Sequence, residues 1–395
     1  MNDVAFEPSV LKWAREKRFG PRTETANEKL LSASIYPDMV RQWEAGEAQP
    51  TFVQVKKLSE VYKRPLAVFF LSSPPEEEAS PPDLRTIGST DNETLSPEAL
   101  LVMRKARRVQ EVANELVEDI GERKVFKYAR HTIADNPVML ARELRDDLGV
   151  TTNDQFKFKT YEAFFEYLRE KLESTGIITL KSGMHDSFPV KDCRAFSFTD
   201  RQPYLILINN KDYEGAKIFS LMHEFGHILL GESGICNNFS SFGNGANHVS
   251  SVETFCNRFA ANFLVPNEEL HAHDKLIGHK HIDEGSLNKI AGVLAHDFKV
   301  SRFVVLRKLL DQGFISQTAY NERARIWQDE IPLKRGEGGT FSLGTVLKKN
   351  GARYTSLVFE AYRQKKIPRT SVSDYLGLKT KHLPGLERLV SRYAN

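Results

Sequence analysis

The chain has 395 residues, 41% of them hydrophobic and 27% charged, which is more than one hydrophobic core usually organises and points to two to four domains. Its net charge of +3 does not by itself announce a nucleic-acid partner, and its three cysteines, Cys193, Cys236 and Cys256, have no paired spacing, which argues against a disulfide framework or a cysteine-based zinc site. The N-terminus lacks the apolar core of a signal peptide and no apolar run approaches about 18 residues, so a cytoplasmic protein with no membrane span is expected.

Residues 1–72 read as helices. Leu11, Trp13, Ala14 and Arg18 suggest a first, Ala26, Leu30 and Leu31 a second, and Pro37 to Trp43 a third, with proline at a permitted first-turn position. The run from Trp43 to Pro50, followed by Leu58, Val61 and Tyr62, resembles the Cro/cI-type (Xre) helix-turn-helix domain over roughly residues 8 to 72. That resemblance implies DNA as a partner, with Pro37, Asp38 and Gln42 near base edges and Arg41 available to phosphate or base. The connection before the third helix looks about three residues longer than the usual tight turn, and Asp38 puts negative charge where phosphates would crowd. Eleven Lys and Arg face nine acids in residues 1–72, so the rival reading is a helical domain used to dock a protein or to pair subunits as a homodimer.

Residues 73–122 read as linker and connecting helix. Ser72 to Pro82 is proline-rich and charged, and a helix capped by Ser96-Pro97 runs to Gly121 with Arg104, Lys105, Arg107 and Arg108 among apolar positions. Val138–Leu148 and Tyr161–Leu172 are further amphipathic helices. The short runs Ile177–Leu180, Ala195–Phe198 and Tyr204–Ile208 suggest a small sheet, the last being either an edge strand that pairs with an extended peptide or a plain core strand.

The motif His223-Glu224-Phe225-Gly226-His227 follows. Positions four apart share a helix face, so both imidazoles reach one metal ion. A catalytic Zn²⁺ takes three protein ligands and keeps a fourth position for water, and Glu224 is the candidate general base. Apolar residues from Ile218 to Leu230 mark a buried helix, and Gly231 is a natural C-terminal cap. The third ligand is expected from the segment Ser250 to Pro266. Its Glu253 lies in a helix's first turn, and Asn257 one turn later is a candidate to orient a ligand. His248 and Tyr204 are the nearest candidates for stabilising an oxyanion.

The segments LMHEFGHILLG and ETFCNRFAANFLVP resemble the metallopeptidase domain of the ImmA/IrrE family, in both segments and in their order. The resemblance implies His223, His227 and Glu253 as zinc ligands, Glu224 as catalytic acid/base, and a helix-turn-helix repressor as the protein substrate. Cys256 stands where that family usually has alanine. Leu287–Leu294 and Val300–Leu310 resemble the family's helical continuation, and the glycine-rich 335–339 marks a boundary. Residues 340–395 show helical periodicity and no chemical signature.

The expected fold class is mainly α with a small β-sheet (α+β). It comprises a helix-turn-helix domain at 1–72, a linker and helix at 73–122, a zincin-like metallopeptidase domain at 123–334 and a small helical domain at 335–395. The expected function is a zinc endopeptidase fused to a regulator and cutting a specific partner. Two alternatives stand beside it: a non-proteolytic regulator or antitoxin with a structural or regulatory metal, and a two-His-one-carboxylate iron oxygenase, for which the adjacent Glu224 has no role.

Overall fold

The computed structural model describes residues 6–20, 23–62, 64–75, 95–122, 126–183, 188–190, 192–233, 235–236, 248–329 and 342–391. The chain divides into two compact units, 1–86 and 87–395. It is mainly helical with one small sheet, consistent with the α+β class.

The first unit contains α1 (Pro8–Phe19), α2 (Thr23–Ser32), α3 (Pro37–Ala45), α4 (Phe52–Tyr62) and a 3₁₀ turn at Leu66–Phe70. Leu11, Ala14, Leu30, Val40, Trp43 and Leu58 form its core. Arg15 on α1 makes a two-pronged bond to Glu44 on α3, at 2.7 and 2.9 Å. Four residues, 33–36, join α2 to α3, with Ser34 in the left-handed region (φ 59°). Helix α2 runs on through Ser32, which leaves this connection short.

The second unit begins with α5 (Pro97–Asp119), capped by the Ser96 hydroxyl. The stretch 76–94, which holds most of the expected linker, lies outside the described residues. Next come α6 (Pro137–Asp147), α7 (Thr152–Lys157), α8 (Tyr161–Glu173) and β1 (Ile178–Lys181). Strands β2 (Ala195–Phe198) and β3 (Leu205–Ile208) precede α9 (Glu214–Leu230), β4 (Ile235–Cys236) and α10 (His248–Leu264). The helices α11 (Asn267–His271), α12 (Glu284–Asp297), α13 (Arg302–Asp311) and α14 (Gln317–Asp329) complete this part.

The sheet order is β1-β3-β2-β4, with β1 parallel to β3 and the other pairs antiparallel. Strand β3 is therefore central and not an edge. Its run of apolar residues is buried throughout, as suits a strand covered on both faces. Helix α9 lies against β2 and β3 and is buried along nearly its whole length. On the sheet's other face Arg107 of α5 sits over the Phe198 ring at 3.9 Å, and Gln110 and Asn114 bond the β2–β3 turn carbonyls of Arg201 and Gln202.

The last helices, α15 (Leu343–Asn350), α16 (Ala352–Arg363), α17 (Arg369–Leu376) and α18 (Leu383–Val390), were expected as a separate domain. They belong instead to the same compact unit as the sheet, with α15 and α16 packed along β1. The reason is a buried polar joint. Arg169 of α8 bonds the Lys348 carbonyl and the β1 residue Thr179, while Glu173 accepts from the Arg353 backbone N–H at the start of α16. Among the described residues no helix is long and apolar enough to cross a membrane.

Candidate metal centre

Helix α9 is rich in apolar residues and buried on every side, which places its motif between the sheet and other helices. Gly231 ends it in the left-handed conformation (φ 69°), as the cap expected from sequence. Helix α10 crosses α9 at close range. The contact falls at Gly226, where an added Cβ would stand 3.1 Å from the Cys256 sulfur and 3.3 Å from the Cys256 Cα. Small residues on both sides let the backbones approach and carry Glu253, one turn before Cys256, to the imidazoles. The far end of α10 is fixed by Arg145, whose buried guanidinium donates to the Phe263 carbonyl at 2.7 Å and whose pKa burial lowers to about 10.

His223 and His227 are buried, and their Nε2 atoms stand 3.1 Å apart. The two oxygens of Glu253 lie 3.2 Å from the Nε2 atoms of His223 and of His227. Nitrogen and oxygen ligands 2.0–2.1 Å from a tetrahedral Zn²⁺ are separated from each other by about 3.3 Å, so these spacings fit one ion. Two imidazoles and a carboxylate are also the donor set of a catalytic zinc. The Glu253 side chain is 25% exposed, which makes it the accessible side of the trio. Burial opposes its ionisation, but the charge and hydrogen bonds of His223 and His227 outweigh that and hold the carboxyl far below the usual range.

Glu224 is fully buried, and the Ser197 hydroxyl donates to its Oε2 at 2.7 Å. Sequence reading missed Ser197. Its signal was present but weak, a lone polar residue in the apolar strand Ala-Phe-Ser-Phe, pointing to the same face as Ala195 and so to α9.

The other expected site residues fare differently. Asn257 is buried one turn beyond Glu253, yet its amide nitrogen has no protein partner, and neither has the Nδ1 of His223 or His227. The amide nitrogen of Asn257, the candidate to orient a ligand, therefore makes no hydrogen bond to one. Helical geometry puts Asn257 on the right face, but it does not extend the amide across to α9. Tyr204 is in the core, its ring edge-on to Phe126 with centroids 5.2 Å apart, in the aromatic cluster that includes Tyr128 and Phe225. The His248 side chain lies outside the described residues. In the first unit, Asp38, Arg41 and Gln42 are exposed on α3 and Pro37 is half-buried at its first turn, while Arg41 is paired with Asp38 on its own helix.

Clustering of buried polar atoms with no protein partner, the Ser220 hydroxyl and both histidine Nδ1 atoms among them, sets this part of the core apart from the apolar packing around it. No curated protein matches the chain. Residues 183–310, which take in both ligand-bearing helices, match the peptidase M78 family model, described as an IrrE N-terminal-like domain, and this supports a metallopeptidase of the IrrE/ImmA type.

Proposed function

We propose that the chain is a zinc-dependent endopeptidase that cuts one specific protein partner. The observation that carries this reading is the meeting of His223, His227 and Glu253 within one ion's reach, with the carboxylate of Glu224 beside them on the same helix. Zinc held by those three residues would supply a Lewis acid for the scissile carbonyl and an acidified water as nucleophile. Glu224 acts as general base, taking a proton from the attacking water and handing it to the leaving amine. Ser197 holds the Glu224 carboxylate through Oε2 and so orients it for proton transfer. Glu253, ionised beside the imidazoles, balances charge in the trio.

The substrate class we infer is a helix-turn-helix repressor, and the N-terminal unit, read as an Xre-type domain, would bring the enzyme to DNA or to that repressor. Glu224→Gln should retain bound zinc and lose about 10²- to 10⁴-fold in cleavage of a purified helix-turn-helix repressor, followed by gel and mass spectrometry. Undiminished cutting by that variant removes Glu224 from the chemistry.

A further inference from the structure

The modest net charge of the chain conceals a strong asymmetry. Residues 342–391 contain ten Lys and Arg against three Asp and Glu, a net charge of +7, which leaves the rest of the chain at −4. Within this stretch the excess is concentrated in residues 363–382, with six Lys and Arg against Asp374.

The fold gathers these charges at one end of the C-terminal helices. Helix α16 packs against both α17 and α18, with Leu357, Val358, Val372, Leu376, Leu386 and Val390 buried. The Arg369 guanidinium, at the start of α17, donates to the Thr380 carbonyl in the 3₁₀ turn Thr380–His382 at 3.1 Å. That contact puts Arg369 beside Lys379 and Lys381, the two residues flanking Thr380. Lys365 and Lys366 are on the α16–α17 turn only four and three positions before Arg369. All five are exposed, while the nearby acid Glu360 is engaged by Arg363 and Gln364.

Lys365 adds an independent detail. It ends α16 in the left-handed conformation (φ 60°), with its N–H bonded to the Tyr362 carbonyl, a position where glycine is the unstrained choice. A lysine held there keeps its charge at a backbone cost.

We propose that this end of the C-terminal helices binds the phosphodiester backbone of double-stranded nucleic acid. Clustered, exposed lysines and an arginine match closely spaced phosphates and carry no pattern for reading base edges, so binding is insensitive to sequence and strongly salt-dependent. A membrane surface fits less well, because Tyr362 is the single large hydrophobic residue exposed among the described residues of this stretch.

The test measures binding of the full chain to a fluorescent 20-base-pair duplex by anisotropy over a range of salt. It compares the wild type with a variant carrying Lys365→Gly, Lys366→Gln, Lys379→Gln and Lys381→Gln. The neutralised chain should bind roughly tenfold or more weakly and lower the slope of log affinity against log salt by about 3 to 4, with its thermal unfolding temperature no lower than that of the wild type. Replacing Lys366, Lys379 and Lys381 by Arg should preserve binding. Parallel titration of DNA and RNA duplexes of one sequence identifies which nucleic acid is preferred. An Arg41→Ala, Gln42→Ala chain separates the N-terminal unit's contribution and should retain the salt slope assigned to the C-terminal lysines. An identical slope and affinity in the wild type and the neutralised variant would overturn the proposal, as would binding confined to anionic vesicles.

Discussion

Ser197 and Glu224 form the hydrogen bond that most directly links the fold to the proposed chemistry. A buried carboxylate with two equivalent oxygens is a poorly aimed base unless one oxygen is held, and the strand hydroxyl holds it. Ser197→Ala should therefore lower kcat roughly tenfold while leaving KM and zinc content in place, and Ser197→Thr should restore most of the rate. If KM rises with kcat unchanged, Ser197 contacts substrate and does not aim the base. Sequence reading put His223, His227 and Glu253 together, as the fold does, because two imidazoles at helical spacing and a carboxylate in the next helix constrain one another. It missed Ser197 because a hydroxyl in a strand has no such partner in the linear pattern, and it offered Asn257 to orient a ligand, where the amide nitrogen makes no hydrogen bond.

Between elements, Gly226 against Cys256 and Arg145 against the end of α10 show that two helices are held by fitted contacts and not by apolar area alone. A second such tie is Lys308 of α13, whose buried ammonium donates to Asn262 on α10 at 2.7 Å and to Asn267 on α11. Burial lowers its pKa from 10.5 to about 8. Between those two values the unfolded chain holds more protons than the folded one, so stability from this group rises as pH increases from about 8 to about 10.5. The difference in unfolding free energy between wild type and Lys308→Met should grow over that window by a quantity on the order of 3 kcal/mol in urea titrations. A pH-independent difference would mean that Lys308 keeps its ordinary pKa in the fold. Element positions along the second unit were legible from periodicity and caps, since helices starting at Pro97, Pro137 and Tyr161 follow Ser96, Asn136 and Thr160, whose side chains cap them. The place of β3 in the sheet was not, because four apolar residues read alike at an edge and at a centre.

At the scale of the molecule, the C-terminal helices are part of the unit that holds the candidate metal centre because β1 needs a neighbour. An exposed strand edge invites unwanted pairing, and α15 and α16 cover this one, with Arg169 also satisfying the Thr179 carbonyl. The joint closes at Gly351, at φ 80°, where a Cβ would stand 2.4 Å from Glu173 Oε1 and 2.6 Å from the Thr179 carbonyl oxygen. Gly351→Ala should cost about 3 kcal/mol or more, seen as a lower urea midpoint by circular dichroism, and a change under about 0.5 kcal/mol would show the joint to be loose. None of this was readable in advance. The glycine-rich run before α15 looks like a domain boundary in sequence, and the contacts that cancel that impression lie some 170 to 180 residues away, in Arg169, Glu173 and Thr179.

The most direct measurement is zinc K-edge X-ray absorption on metal-loaded full-length chain, with stoichiometry determined alongside. One zinc per chain is expected, in a shell of two imidazole nitrogens and carboxylate or water oxygens at about 2.0–2.2 Å, with binding weakened in Glu253→Ala. A sulfur ligand near 2.3 Å, or equal zinc affinity in wild type and Glu253→Ala, would contradict the site described.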